Sequence, residues 1–147
     1  MNKNRSVRTF AVSTTTKERI MPKLSPTTGT LEDHGVVADR HDDLDGYTTS
    51  FFEVRETQDM TGMLASLPGG HCSCPHWGYV ITGRWTVKYA DREEIFNAGD
   101  AFYMSPGHVP TEILAGTETV MFSPAEELKA TDAAIMAFLQ AQGGGPS

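Results

Sequence analysis

Cysteine is scarce in this chain: there are two among 147 residues, both in the tripeptide Cys72-Ser73-Cys74. That spacing is too short for a relaxed disulfide or for one that closes a useful loop. A disulfide scaffold is therefore excluded, and thiols this close to histidines point to metal ligation. Long apolar runs are also missing, since nowhere do the roughly 18 consecutive apolar residues of a membrane span occur. Met1–Phe10 is polar and basic, without the apolar centre of a secretory leader. Both absences predict a soluble, cytoplasmic protein with no membrane partner. Positive charge is the minority sign, 12 Lys plus Arg against 19 Asp plus Glu, and the net charge of −7 repels polyphosphate backbones. No nucleic-acid partner is expected. Among catalytic templates, G-x-S-x-G, the Walker loop and G-x-G-x-x-G do not occur.

What is present suits a single folded domain: 39% hydrophobic and 21% charged residues lie well away from the composition of disordered chains. Residues 1–46 read as an irregular N-terminal arm with possible short strands. The arm carries Pro22, Pro26 and the acidic run Asp39-Arg40-His41-Asp42-Asp43-Leu44-Asp45, which reads as a solvated loop, with His34 and His41 on the surface. Residues 47–124 change character, with short segments rich in Val, Ile, Thr, Phe and Tyr between Gly, Pro and Asp. Strands are expected at Thr49–Glu56, Thr61–Leu67, Trp77–Thr82, Trp85–Ala90, Glu93–Phe96, Ala101–Met104, Thr111–Leu114 and Thr119–Phe122, which together argue an all-β sandwich or barrel. Residues 125–142 read as a helix with a break expected near Thr131-Asp132. Ser123-Pro124-Ala125-Glu126 would cap it, and Ala134, Phe138 and Ala141, flanked by Ile135 and Leu139, would pack on the sheet. Residues 143–147 should fray.

Ligand-type side chains concentrate in Gly69-Gly70-His71-Cys72-Ser73-Cys74-Pro75-His76. If the segment is extended, Cys72, Cys74 and His76 share a face and His71 points away, although Pro75 can upset that parity. The alternative is two small buried thiols and two satisfied histidines at a strand end. Four such residues together favour a metal site drawn from them. His108, in the tight turn Ser105-Pro106-Gly107-His108, joins the set only if the fold brings it beside His76. Glu112 has the parity of His108 and reads either as a general base or as a solvated strand residue. Tyr103 is expected to line the pocket by alternation with Ala101, and Trp77, Tyr79 and Ile81 make an apolar face that something should cover.

From Gly69 to Pro124 the sequence resembles the cupin superfamily. The first cupin motif, H-x-H-x-x-x-E-x-x-x-x-x-x-G, anchored on Gly83, puts its second histidine slot at Cys72 and its glutamate slot at His76. Gly78-Tyr79-Val80-Ile81-Thr82-Gly83-Arg84 matches the strand and turn that close it. Gly99-Asp100 and Pro106-Gly107 match the second motif. The first histidine slot falls on Gly70 and the last on Pro110, two residues after His108. Small cupins that pair a Cys, a His four residues on, and a Pro-Gly-His turn are the subgroup it looks like.

The resemblance implies a cupin-type β-barrel, the double-stranded β-helix or jelly-roll, with a C-terminal helix. Cys72, His76 and His108 become the first-choice ligands, with Cys74 and His71 in reserve. A thiolate with two imidazoles favours zinc, with iron as second choice, and leaves one position open. The expected function is Lewis-acid chemistry on a small organic substrate, of lyase, isomerase or hydrolytic type. Two alternatives remain: a non-catalytic sensor or carrier of a small ligand or metal, and a non-haem iron dioxygenase. The resemblance also implies a homodimer, because cupins commonly pair their barrels.

Overall fold

In the computed structural model, which describes residues 22–141, nine strands form two antiparallel sheets. They are β1 (Thr30–Asp33), β2 (Val37–Leu44), β3 (Tyr47–Val54), β4 (His76–Thr82), β5 (Arg84–Lys88), β6 (Glu93–Asn97), β7 (Ala101–Met104), β8 (Val109–Ile113) and β9 (Glu118–Pro124). One sheet has the order β1-β2-β3-β9-β4-β7 and the other β6-β5-β8. The two helices are α1 (Thr61–Leu64) and α2 (Ala125–Ala141). The readings of Met1–Phe10 and of the tail 143–147 fall outside the described residues.

Alternation along the strands sets the core. In β7, Phe102 and Met104 are buried while Ala101 and Tyr103 are exposed; in β5, Trp85 and Val87 turn inward. These side chains join Val54, Val80, Phe96 and Ile113 between the sheets. Trp85 keeps its polar edge satisfied there, its Nε1–H donating to Thr119 Oγ1 at 2.8 Å. Gly83, at φ +86°, makes the β4–β5 turn directly against Thr117, where no Cβ fits.

Several sequence expectations are corrected. The acidic run does not form a loop. Most of it is β2, paired along its whole length with β3, and Asp45-Gly46, both at positive φ, make the two-residue hairpin turn between them. The boundary expected between residues 46 and 47 thus lies at a hairpin tip. The strand expected at Thr61–Leu67 is the short helix α1 followed by a turn. Leu64 and Leu67 bury at a spacing of three rather than two, and Asp59 Oδ1 accepts from both the amide and the hydroxyl of Thr61 to start the turn. Helix α2 runs unbroken through Thr131-Asp132. Its less exposed stripe is Leu128, Thr131, Ile135 and Phe138, while Ala134 and Ala141 are exposed; Leu128 and Ile135 pack on Leu64, Leu67, Cys72 and Cys74. Ser123 does not cap the helix; it is a buried residue of β9 whose hydroxyl points into the barrel.

Candidate metal centre

Three side chains converge at one end of the barrel. Cys72 lies just before β4, His76 opens β4, and His108 sits at the start of the β8 arm, in the other sheet. The chain brings them together through backbone pairing. The Cys72 N–H donates to the His108 carbonyl at 3.0 Å, and the Gly107 N–H donates to the Cys72 carbonyl at 2.8 Å. Gly107, at φ +100°, makes the turn that allows this approach.

One donor atom from each residue lies within 4.8 Å of the other two, and Cys72 Sγ is 3.9 Å from His76 Nε2. A tetrahedral zinc, with bonds of about 2.3 Å to sulfur and about 2.0–2.1 Å to nitrogen, holds such a pair roughly 3.5 Å apart. That pair therefore needs to close by only a few tenths of an ångström. Their rings are aimed by partners outside the cluster. His108 Nδ1–H donates to the Ser105 carbonyl at 2.7 Å, which leaves Nε2 with a free lone pair, and His76 Nδ1 hydrogen-bonds Ser123 Oγ at 2.7 Å. Ser105 is itself held, its amide donating to the Tyr89 hydroxyl at 3.1 Å.

Burial governs the protonation states. It pushes the His76 imidazole down to about 3, with His108 adding to the effect, and it also lowers His108 against the opposing Ser105 hydrogen bond. It raises the Cys72 thiol. Both imidazoles are thus neutral at physiological pH, the state in which they ligate, and only the thiol must lose a proton to complete the donor set.

The remaining sequence candidates are placed elsewhere. Cys74 is 1% exposed among Leu64 and Leu67, its thiol pushed up to about 12 by burial and then by Cys72. Bends at His71 and Cys74 break the extended parity, so neither side chain reaches the donor cluster. His71 packs over Gly69 with Nδ1 buried and unpartnered. Glu112 turns outward and pairs with Arg84 at 3.1 Å. The cause is a β-bulge: Thr86 faces Glu112 but Val87 faces Pro110, so Thr111 is an extra residue that reverses the parity counted from His108. Tyr103 stands on the outer face, 51% exposed and stacked on Trp77 at 5.0 Å, because Phe102 and Met104 take the inward positions of β7.

Sequence reasoning missed Ser123, which was assigned to a helix cap, and the helix residues Thr131 and Asp132, which line the cavity above the donors. Asp132 stands at the rim; desolvation, then Asp39 and Glu32, raise its carboxyl above the usual range. A second convergence, Glu32, Asp39 and His41, lies on the face of β1 and β2 that looks toward Leu128, Lys129 and Asp132 of α2, and there Asp39 accepts from Ser50 Oγ at 2.7 Å. Among the described residues no helix is long and apolar enough to cross a membrane.

No protein-family model matches the chain, and no curated protein matches it. Solved structures do. The polyketide cyclase RemF from Streptomyces resistomycificus aligns at 18% identity and TM-score 0.50 over 71% of this chain and 80% of that one. A protein of unknown function from Rhizobium leguminosarum aligns at 18% identity and TM-score 0.47 over 81% and 97%, and an RmlC-like cupin from Shewanella frigidimarina at 14% and 0.47 over 69% and 88%. At such identities the likeness is one of fold.

Proposed function

The chain has the cupin fold, and on that premise we propose that Cys72, His76 and His108 hold one divalent transition-metal ion and that the protein uses it on a small organic molecule bound in the barrel. The observation that carries the reading is the convergence of three buried donors whose imidazoles are pre-aimed by Ser123 and Ser105. A thiolate with two imidazoles suits zinc first and iron second. Bound there, the ion would supply Lewis acidity at an open fourth position.

The protein's own contribution is to orient and to exclude water. Met60, Leu64, Leu128 and Ile135 close the space around the donors with apolar surface. Among the described residues Asp132 is the one carboxyl in the cavity wall, placed to exchange a proton with a bound molecule at the rim. Since Glu112 and Tyr103 face away, the cavity offers few acid–base groups, and that favours a ligand-binding or carrier role as the second reading.

The homodimer expectation is carried by the outer face of the larger sheet, where Trp77, Tyr79, Ile81, Tyr103 and Phe122 are each 40–51% exposed. We assign this face to a second copy of the chain. The deciding experiment for the metal is elemental analysis of protein reconstituted with zinc or iron, beside His76→Ala. About one ion per chain, lost in the variant, supports the reading; an unchanged metal content in the variant removes it. Oxygen uptake with iron but not zinc would move the chemistry to the dioxygenase class.

A further inference from the structure

The donor cluster opens into a cavity of about 160 Å3 lined by strands of both sheets, α1 and α2. Apart from the three donors, its polar wall consists of Thr131 and Asp132 on one turn of α2. The rest is apolar, including three methionines, Met60, Met104 and Met121, and Trp85, whose only polar atom is already committed to Thr119. No Lys or Arg lines the cavity among the described residues.

From this wall we infer that the protein takes a small amphiphile: a compact aromatic or branched aliphatic body carrying a single oxygen-donor head of at most one negative charge. The identity of the head rests on the proposed metal; the nature of the body rests on the wall alone. Size sets the first limit, since apolar cavities of about 150 Å3 admit a benzene-sized guest. Polarity sets the second. A polyol would bury hydroxyls with no partners but Thr131 and Asp132, and unpaired buried polar groups are costly. Charge sets the third. A thiolate and two neutral imidazoles around a dication leave one net positive charge, matched by a monoanion such as a carboxylate or phenolate. A polycarboxylate or phosphate ester would find no basic side chain here and would meet Asp132 at the rim. The methionines, unbranched and polarisable, let the wall adapt to the shape of the body. Leu128 and Ile135 form the apolar part of the wall that α2 contributes, so that helix limits the length of the guest.

Two titrations of the full-length protein test this. In Co2+-loaded protein, followed by the visible absorption of the ion, benzoate should bind at least tenfold more tightly than acetate, with citrate no tighter than acetate. In metal-free protein carrying 13C-methyl methionine, toluene should shift the signals of Met60, Met104 and Met121 while those of the exposed Met63 and Met136 stay in place. Ile135→Trp, at a half-buried helix position, should abolish the shifts by filling the space. Citrate binding more tightly than benzoate, or the three cavity methionines unmoved by toluene, overturns the inference. Shifts that persist in Ile135→Trp place toluene elsewhere and overturn it as well. If Co2+ does not bind, the metal reading falls and the toluene titration alone decides the apolar body. If Co2+ binds but neither benzoate nor toluene does, the inference falls and the metal reading stands.

Discussion

The amide of Cys72 donates to the carbonyl of His108 at 3.0 Å, so two residues far apart in sequence are neighbours through their main chains, whatever side chains they carry. Replacing either side chain should therefore leave the fold standing. Cys72→Ser and His108→Ala are expected to keep the wild-type far-UV circular dichroism and cooperative unfolding, while zinc affinity falls by at least about tenfold, read by competition with a chromophoric chelator. A variant that unfolds would assign the side chain to the core instead.

Ser123 should matter to metal affinity without touching the ion. Ser123→Ala removes the hydroxyl that holds His76 Nδ1 and is expected to weaken zinc binding by about 10–100-fold, the usual range for partners that orient a ligating imidazole. Ser123→Thr, which keeps the hydroxyl, should restore most of it. Equal losses in both variants would mean that packing, not orientation, is at stake.

Asp39 carries a pH signature. Desolvation outweighs the Ser50 hydrogen bond and the nearby His41, with Glu32 adding to the rise, and the folded carboxyl is held above its ordinary value of 3.8. Its contribution to stability is therefore full below about pH 3.8 and lost as pH rises through the folded value. Asp39→Asn, which still accepts from Ser50, should raise the urea midpoint at pH 7 and give no gain at pH 3. A lower midpoint at pH 7 would show that the charge is compensated.

Gly83→Ala tests the turn that closes the first motif. A Cβ there would run into the Cα and Oγ1 of buried Thr117, at a φ of +86° that already disfavours alanine by roughly 1–2 kcal/mol. The expected loss of stability is at least about 2 kcal/mol in denaturant unfolding. A loss near zero would mean that the β4–β5 turn relaxes freely.

The outer aromatic face predicts an oligomer that one charge can split. Tyr79→Glu should convert a dimer to a monomer in sedimentation equilibrium, with zinc stoichiometry unchanged, because Tyr79 faces away from the donors. A wild-type protein that sediments as a monomer would leave the face without a partner copy.

What the sequence could reveal was governed by how local the deciding physics is. The turns at Gly83 and Pro106-Gly107 and the Val- and Thr-rich runs place β4 to β9 to within a residue or two, because each depends on neighbours in the chain. The grouping of Cys72 and His76 with His108 came from likeness to small cupins, since no spacing argument reaches across two sheets. Parity failed where the backbone departs from a uniform pleat: bends at His71 and Cys74 removed Cys74, and the bulge at Thr111 turned Glu112 outward. Period failed at Leu64 and Leu67, where alternation in sequence concealed a helical turn. The acidic β2 was hidden for a different reason: its carboxylates find Ser50, Thr48 and Lys129 only across strands and from α2.

Because His76 opens β4 in one sheet while His108, bridged to Cys72, stands just before β8 in the other, any ion the three share would pin the two sheets together. The segment from 72 to 108, which carries β4 to β7, becomes a closed loop, and the entropy lost on closing it is removed from the unfolded ensemble. Chelation should then loosen the seam between the sheets before it loosens either sheet. Amide exchange would accelerate first at the Cys72–His108 and Gly107–Cys72 hydrogen bonds.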